Sequence, residues 1–146
     1  MSAEQNTKAV GYLCVESGSQ RKREESVYIQ RKEILGYAKR NGVQIVRFFS
    51  DHSCIEDIEL RQGLSDAIAF IASGKAQVLA VARLDRLSSS AEDLVRFAEQ
   101  HRFVDGGPSL IAVRDQIDTR RTQGRNSLDV MRSATHQESE AQGQGA

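Results

Sequence analysis

Gln77-Val78-Leu79-Ala80-Val81-Ala82 runs directly into Arg83-Leu84-Asp85-Arg86-Leu87-Ser88 and then into Ser89-Ser90-Ala91-Glu92. The first six residues are a short, nearly unbroken apolar run, which predicts a buried strand. The last four fit a capping box, which predicts a helix from about Ser90 to His101. A strand that feeds a polar loop and then a helix is the repeating unit of an α/β protein. The same order continues on both sides. Upstream, Leu60, Leu64, Ala67, Ile68 and Ile71 fall at i, i+4, i+7, i+8 and i+11, the clearest amphipathic helix in the chain, closed by Gly74. Before it, Gln44 to Ser50 reads as a strand carrying Ile45, Val46, Phe48 and Phe49. Earlier still, Glu24 to Arg40 reads as a helix with Val27, Ile34, Leu35 and Ala38 on one face and a stop at Asn41-Gly42. Ala9 to Val15 is a first strand, bounded by Glu16-Ser17-Gly18-Ser19. Downstream, the turn Gly106-Gly107-Pro108 precedes a strand from Ser109 to Val113. A last helix is expected from about Gly124 to Thr135, with a thin stripe of Leu128, Val130, Met131 and Ala134.

Strand and helix therefore alternate along the whole chain. The fold class expected is α/β, a mainly parallel sheet flanked by helices. One domain covers residues 9–135. Residues 1–8 form a flexible N-terminus, and residues 136–146, rich in Gln, Glu, Ser, Ala and Gly, form a disordered tail. A length of 146 residues suits one domain. Apolar residues make up 39% and aromatics 5%, with no Trp, so the core is real but lean.

Composition also narrows the function. Lys+Arg and Asp+Glu both number 20, so a whole-chain basic footprint is missing and any nucleic-acid contact must come from a local patch. Such patches are Arg21-Lys22-Arg23 with Arg31-Lys32, and Arg120, Arg121 and Arg125. Each reads either as a solvated surface or as a phosphate contact, the second more readily because it adjoins a helix start. The N-terminal stretch is polar and is no signal peptide, and no apolar run is long enough for a membrane span. Two cysteines, Cys14 and Cys54, make no disulfide framework and are expected as free thiols in a reducing cytoplasm.

In parallel sheets, ligands bind beyond the carboxyl ends of the strands. Residues 16–23, 51–61 and 83–90 are the loops expected to meet there. The loop from Arg83 to Ser90 opens a helix, where backbone N–H groups favour an anion and Arg86 can fork onto a phosphate; the alternative is an Arg–Asp surface pair with a plain Ser cap. Cys14 does not make a phosphatase loop, because that needs Arg in the sixth place after Cys and Gln20 stands there. Asp51, His52 and Cys54, perhaps with Cys14, offer metal-ligand types but no CxxC or HxxxH spacing, so no metal is expected. His101 and His136 read as surface residues.

Four ordered motifs together resemble the catalytic domain of the serine recombinases, the resolvase/invertase family. Tyr12-Leu13-Cys14-Val15-Glu16 with Gln20 is similar to the family's opening Tyr-x-Arg-Val-Ser with a Gln four residues on. Asp51 followed by Arg61-Gln62-Gly63-Leu64 is similar to its Asp-loop-Arg-x-Gly-Leu. Leu84-Asp85-Arg86-Leu87-Ser88-Ser89 resembles Leu-Asp-Arg-Leu-(Ser/Gly)-Arg. Asp118-Thr119 with Gly124-Arg125 resembles Asp-Thr followed by Gly-Arg before a long helix. The resemblance implies a resolvase-like fold and a part in DNA strand exchange, in which a Ser attacks a DNA phosphodiester, Arg side chains stabilise the phosphoryl charge and no metal or cofactor is needed. It implies a site built from Gln20, Arg61, Asp85 and Arg86.

The departures fall at the centre of that chemistry. Glu16 stands at the nucleophile position, Cys14 at the Arg two residues before it, and Ser89 at the second Arg of the third motif. The site loses two positive charges and gains a carboxylate. Ser17 is the adjacent hydroxyl and a candidate substitute, although a one-residue step along a strand redirects a side chain. A degenerate, non-cleaving site is therefore expected, with weak DNA binding through phosphate contacts only. No helix-turn-helix or zinc module follows in the sequence. The partners expected are DNA, a second copy of the chain or an active recombinase. The alternative is a non-catalytic interaction or regulatory module derived from a recombinase.

Overall fold

Period-two alternation decides how the central strand is used. In β1 (Thr7–Cys14), Val10, Tyr12 and Cys14 face one side of the sheet, and Ala9 and Leu13 face the other. Both sides are apolar because both are covered, as a parallel sheet requires. The computed structural model describes residues 7–16, 18–52, 55, 57–103, 106–122 and 124. Within them follow α1 (Gln20–Arg40), β2 (Val43–Asp51), α2 (Gln62–Ala72), β3 (Val78–Val81), α3 (Ala91–Gln100), β4 (Ser109–Ala112) and β5 (Ile117–Asp118). The sheet order is β2-β1-β3-β4-β5. β1 pairs in parallel with β2 and β3, and β3 with β4, while β5 runs antiparallel to β4. Leu64, Ala67 and Ile71 of α2 and Phe97 and Ala98 of α3 cover one face. Ile34 and Ala38 of α1 cover the other.

The mainly parallel α/β sheet is the one expected, and the differences are local. α1 starts at Gln20 rather than Glu24, because the Ser19 side chain accepts a hydrogen bond from the Lys22 N–H and caps it there. Leu35 is 43% exposed, and Gln30 lies on the buried ridge with Ile34 and Ala38. Leu60 is 68% exposed in a 3-10 turn (Ile58–Leu60), and Ile58 takes the buried place. Ser90, not Ser89, caps α3, accepting from the Asp93 N–H. β5 was not expected. It follows a turn in which Gln116 adopts φ 57. Cys14 is disulfide-bonded rather than a free thiol. Residues 1–6, Ser17, Cys54, the expected last helix beyond Gly124 and the 136–146 tail lie outside the described residues. No described helix is long and apolar enough to cross a membrane.

Candidate functional site

The site is organised by a carboxylate that does not itself reach it. Asp51, at the end of β2, accepts the Gly63 N–H at 2.8 Å and the Leu64 N–H at 3.0 Å, so it caps α2 from another element. The Tyr12 hydroxyl donates to the same carboxylate at 2.6 Å. Burial first, and then the bond to and charge of Asp51, raise the Tyr12 pKa, while Arg61 works the other way; the phenol stays a neutral donor. A Cβ at Gly63 would lie 2.2 Å from the Ser50 carbonyl oxygen, so only glycine lets α2 approach β2 this closely. The Asp51…Gly63-Leu64 motif is thus a joint between strand and helix. Both Asp51 carboxylate oxygens accept hydrogen bonds, and His52 is exposed.

That joint sets Arg61, which is only 4% exposed. Its Nε donates to the Ile55 carbonyl at 2.8 Å and its Nη1 to the Arg86 carbonyl at 2.8 Å. Both acceptors are neutral. The guanidinium is therefore held in place by neutral carbonyls rather than by a hydrogen-bonded carboxylate. Arg86 lies in a 3-10 turn (Leu84–Arg86) after β3. Its Nη1 donates to the Cys14 carbonyl at 3.4 Å. Its Nε is buried with no hydrogen-bond partner, the nearest carboxylate oxygen being Asp85 Oδ1 at 3.9 Å. Asp85 lies closer to Arg83, with Nε at 3.3 Å. The guanidinium it orients is that of Arg83 more than that of Arg86.

These groups border one cleft of about 360 Å³ at the carboxyl ends of β1 and β3. Glu16, Arg61, Asp85, Arg86 and Ser89 meet there, as expected of three strand-end loops, and Arg83, Ser88, Ser90 and Asp93 join them. Three cations face three carboxylates, so the cleft as a whole carries no surplus positive charge. Two of its hydroxyls are engaged locally: Ser88 accepts the Ser90 N–H at 3.0 Å, and Ser90 caps α3.

Three expected participants stand apart. Gln20 is exposed in the first turn of α1, donates to Glu24 at 3.2 Å and does not border the cleft. The Cys14 side chain is wholly buried in the core rather than open to the cleft. Ser17 lies outside the described residues. Of the second basic cluster, Arg120 is taken up by Asp118: Nε and Nη2 reach the carboxylate at 2.9 and 2.7 Å. The Tyr37 hydroxyl adds a bond at 2.7 Å. Burial pushes the Asp118 carboxyl up, but Arg120 and Tyr37 outweigh it and hold it below the usual carboxylate range. A Cβ at Gly124 would lie 2.2 Å from the Asp118 carbonyl oxygen, so this motif too is a close-packed corner.

One residue was missed. Gln30, 3% exposed, accepts the Cys14 N–H at 3.3 Å and donates to the Cys14 carbonyl at 3.1 Å. β3 pairs β1 only as far as Tyr12, so the amide takes over where the strand partner ends and holds the segment leading to Glu16. Its signal was a polar residue on the 30-34-38 ridge of an otherwise apolar helix face.

A family model described as the resolvase N-terminal domain matches residues 9–145. No curated protein matches the chain by sequence. Among solved structures, the chain is similar to the N-terminal catalytic domain of TP901-1 integrase at 22% identity and TM-score 0.78, over 92% of this chain and 98% of that one. It is similar to a resolvase family site-specific recombinase from Streptococcus pneumoniae at 21% identity and TM-score 0.67, over 96% and 95%. It is also similar to the C-terminal catalytic domain of ISC1926 TnpA, an IS607-like serine recombinase, at 22% identity and TM-score 0.61, over 73% and 67%. At such identities these three likenesses are likenesses of fold.

Proposed function

This chain belongs to the resolvase family, the catalytic domain of the serine recombinases of site-specific recombination, and we propose that its cleft receives a DNA phosphate without cleaving the strand. The observation that carries the reading is the meeting of Arg61 and Arg86, their charges not cancelled by hydrogen-bonded carboxylates, in a cleft bordered by Glu16 at the family's nucleophile position. Arg61 and Arg86 supply the phosphate-holding half of the site. The attacking half is missing. A carboxylate at position 16 repels the phosphodiester, and the family's arginines at positions 14 and 89 are Cys and Ser here. Each lost donor costs about 3–4 kcal/mol of transition-state stabilisation. Asp85 acts as a charge partner of Arg83, and at longer range of Arg86, rather than as a base. Gln20 takes no part in holding the phosphate, and Ser17 does not substitute for the missing hydroxyl.

On this reading residues 9–135 form the working domain, in the cytoplasm where DNA is reached. The domain serves strand exchange as a non-cleaving member that pairs with itself or with an active relative. The test is graded restoration. Glu16→Ser alone is expected to leave protein-linked nicking of supercoiled plasmid at the wild-type level. Glu16→Ser with Ser89→Arg is expected to raise it, whereas Cys14 is buried in the core and is left unchanged. Full nicking from Glu16→Ser alone overturns the reading, because the missing arginines would then be dispensable.

A further inference from the structure

We propose that the groove between the first half of α1 and the Arg83–Arg86 turn is a track for the sugar-phosphate backbone of duplex DNA, leading into the cleft from the α1 side. The inference rests on the reading of the chain as a DNA-acting domain and adds where the duplex lies. A cavity of about 450 Å³ opens there. Arg83 and Arg86 border both this cavity and the cleft, so the two depressions share a wall of guanidinium groups. Lys22 and Arg114 add two further cations on the α1 side. The opposing carboxylates are Glu25 and Glu33, and Glu33 is already bound by Arg114 through Nε at 2.8 Å and Nη2 at 2.6 Å. The groove therefore keeps a positive surplus that the cleft lacks.

Three separate features call for an anion from outside the chain. The first turn of α1 holds no acidic residue, yet Arg21, Lys22 and Arg23 stand there, all exposed. Cations at that end oppose the helix dipole, an arrangement that an external anion relieves. Arg86 Nε is the one buried side-chain nitrogen or oxygen among the described residues with no hydrogen-bond partner. A phosphate in the shared wall meets the accessible edge of this guanidinium, whose charge no hydrogen-bonded carboxylate cancels. Arg83 is 44% exposed and held only by a half-exposed Asp85, so its fork can turn to a ligand. The groove carries four cations against two carboxylates, a surplus that suits phosphates spaced along a strand. In the opposite basic cluster, Arg120 is already bound to Asp118.

The test is fluorescence anisotropy of a labelled duplex titrated with the whole chain at several salt concentrations. Lys22→Gln is expected to lower the slope of log Kd against log salt by about 1, and Lys22→Gln with Arg83→Gln by about 2. Lys39→Gln, in the last turn of the same helix, is expected to leave the slope unchanged. All of these side chains are exposed, and circular dichroism checks that the variants keep the wild-type fold. An unchanged slope in the double variant, or an equal loss in Lys39→Gln, overturns the track while leaving the DNA-acting reading intact. Wild-type protein that binds no duplex at low salt overturns both. Polyglutamate that displaces the duplex at equal concentration shows a site for acidic protein and overturns the assignment to DNA.

Discussion

Two Asp–Arg pairs on the sheet end differently. At the β5 corner, the Asp118 side chain is 5% exposed and Arg120 forks onto it with two bonds, while the Arg120 N–H and the Tyr37 hydroxyl fill the remaining positions. At the turn after β3, the Asp85 side chain is 52% exposed, stands 3.9 Å from Arg86 and leaves the Arg86 Nε without a hydrogen bond. The residue types are the same and the motifs are equally conspicuous. The first pair is closed: its charge is used in holding β5 against α1. The second is open: its charge remains available to a ligand. A charged motif thus reads as structure or as function according to whether its hydrogen bonds are completed within the chain.

Breaking the closed pair should have the largest effect. Asp118→Ala strands Arg120 and Tyr37 and is expected to destabilise the fold by about 3–5 kcal/mol in urea unfolding. A loss under about 1 kcal/mol would mean that the corner is no more closed than the turn. Next comes Tyr37→Phe, which removes one hydrogen bond to a charged group and is expected to cost about 1.5–3 kcal/mol. The pH dependence of the two regions should also differ. The folded-state pKa of Asp118 lies below its unfolded value of about 3.9. Its stabilising contribution is therefore complete above that pH and is lost as pH falls through the lowered folded-state value. Asp118→Ala should flatten the acid limb of a stability–pH curve relative to wild type. The smallest effect is expected at the open turn: Asp85→Ala should change stability by less than about 0.5 kcal/mol, because its partners are exposed or distant. A larger loss there would erase the contrast.

The same distinction explains what could be read in advance. β1, β3 and β4 are apolar runs, and their alternation with helices carries the parallel sheet and hence the meeting of three strand-end loops. Glu16, Arg61, Asp85 and Arg86 come together for that reason alone. Helix ends were less legible where the cap is not local. Leu60 keeps the periodicity of α2 yet lies outside it, because the helix begins where Asp51 of β2 captures the Gly63 and Leu64 N–H groups. β5 has two residues, one of them an aspartate, and no pattern to detect. Gln20 fell out of the site because α1 begins there and turns its amide toward Glu24. Arg120 looked like a phosphate ligand, since a sequence displays a charge but not the buried carboxylate that consumes it.

The central claim is that the cleft holds a phosphate and does not attack it. Its most direct test is to incubate the wild-type chain with supercoiled plasmid, denature the mixture and measure protein-linked nicks. None above the level of a no-protein control are expected, since Glu16 stands at the attacking position and no arginine occupies positions 14 or 89. Covalent adducts formed by wild type and abolished by Ser17→Ala would contradict the claim and make Ser17 the nucleophile.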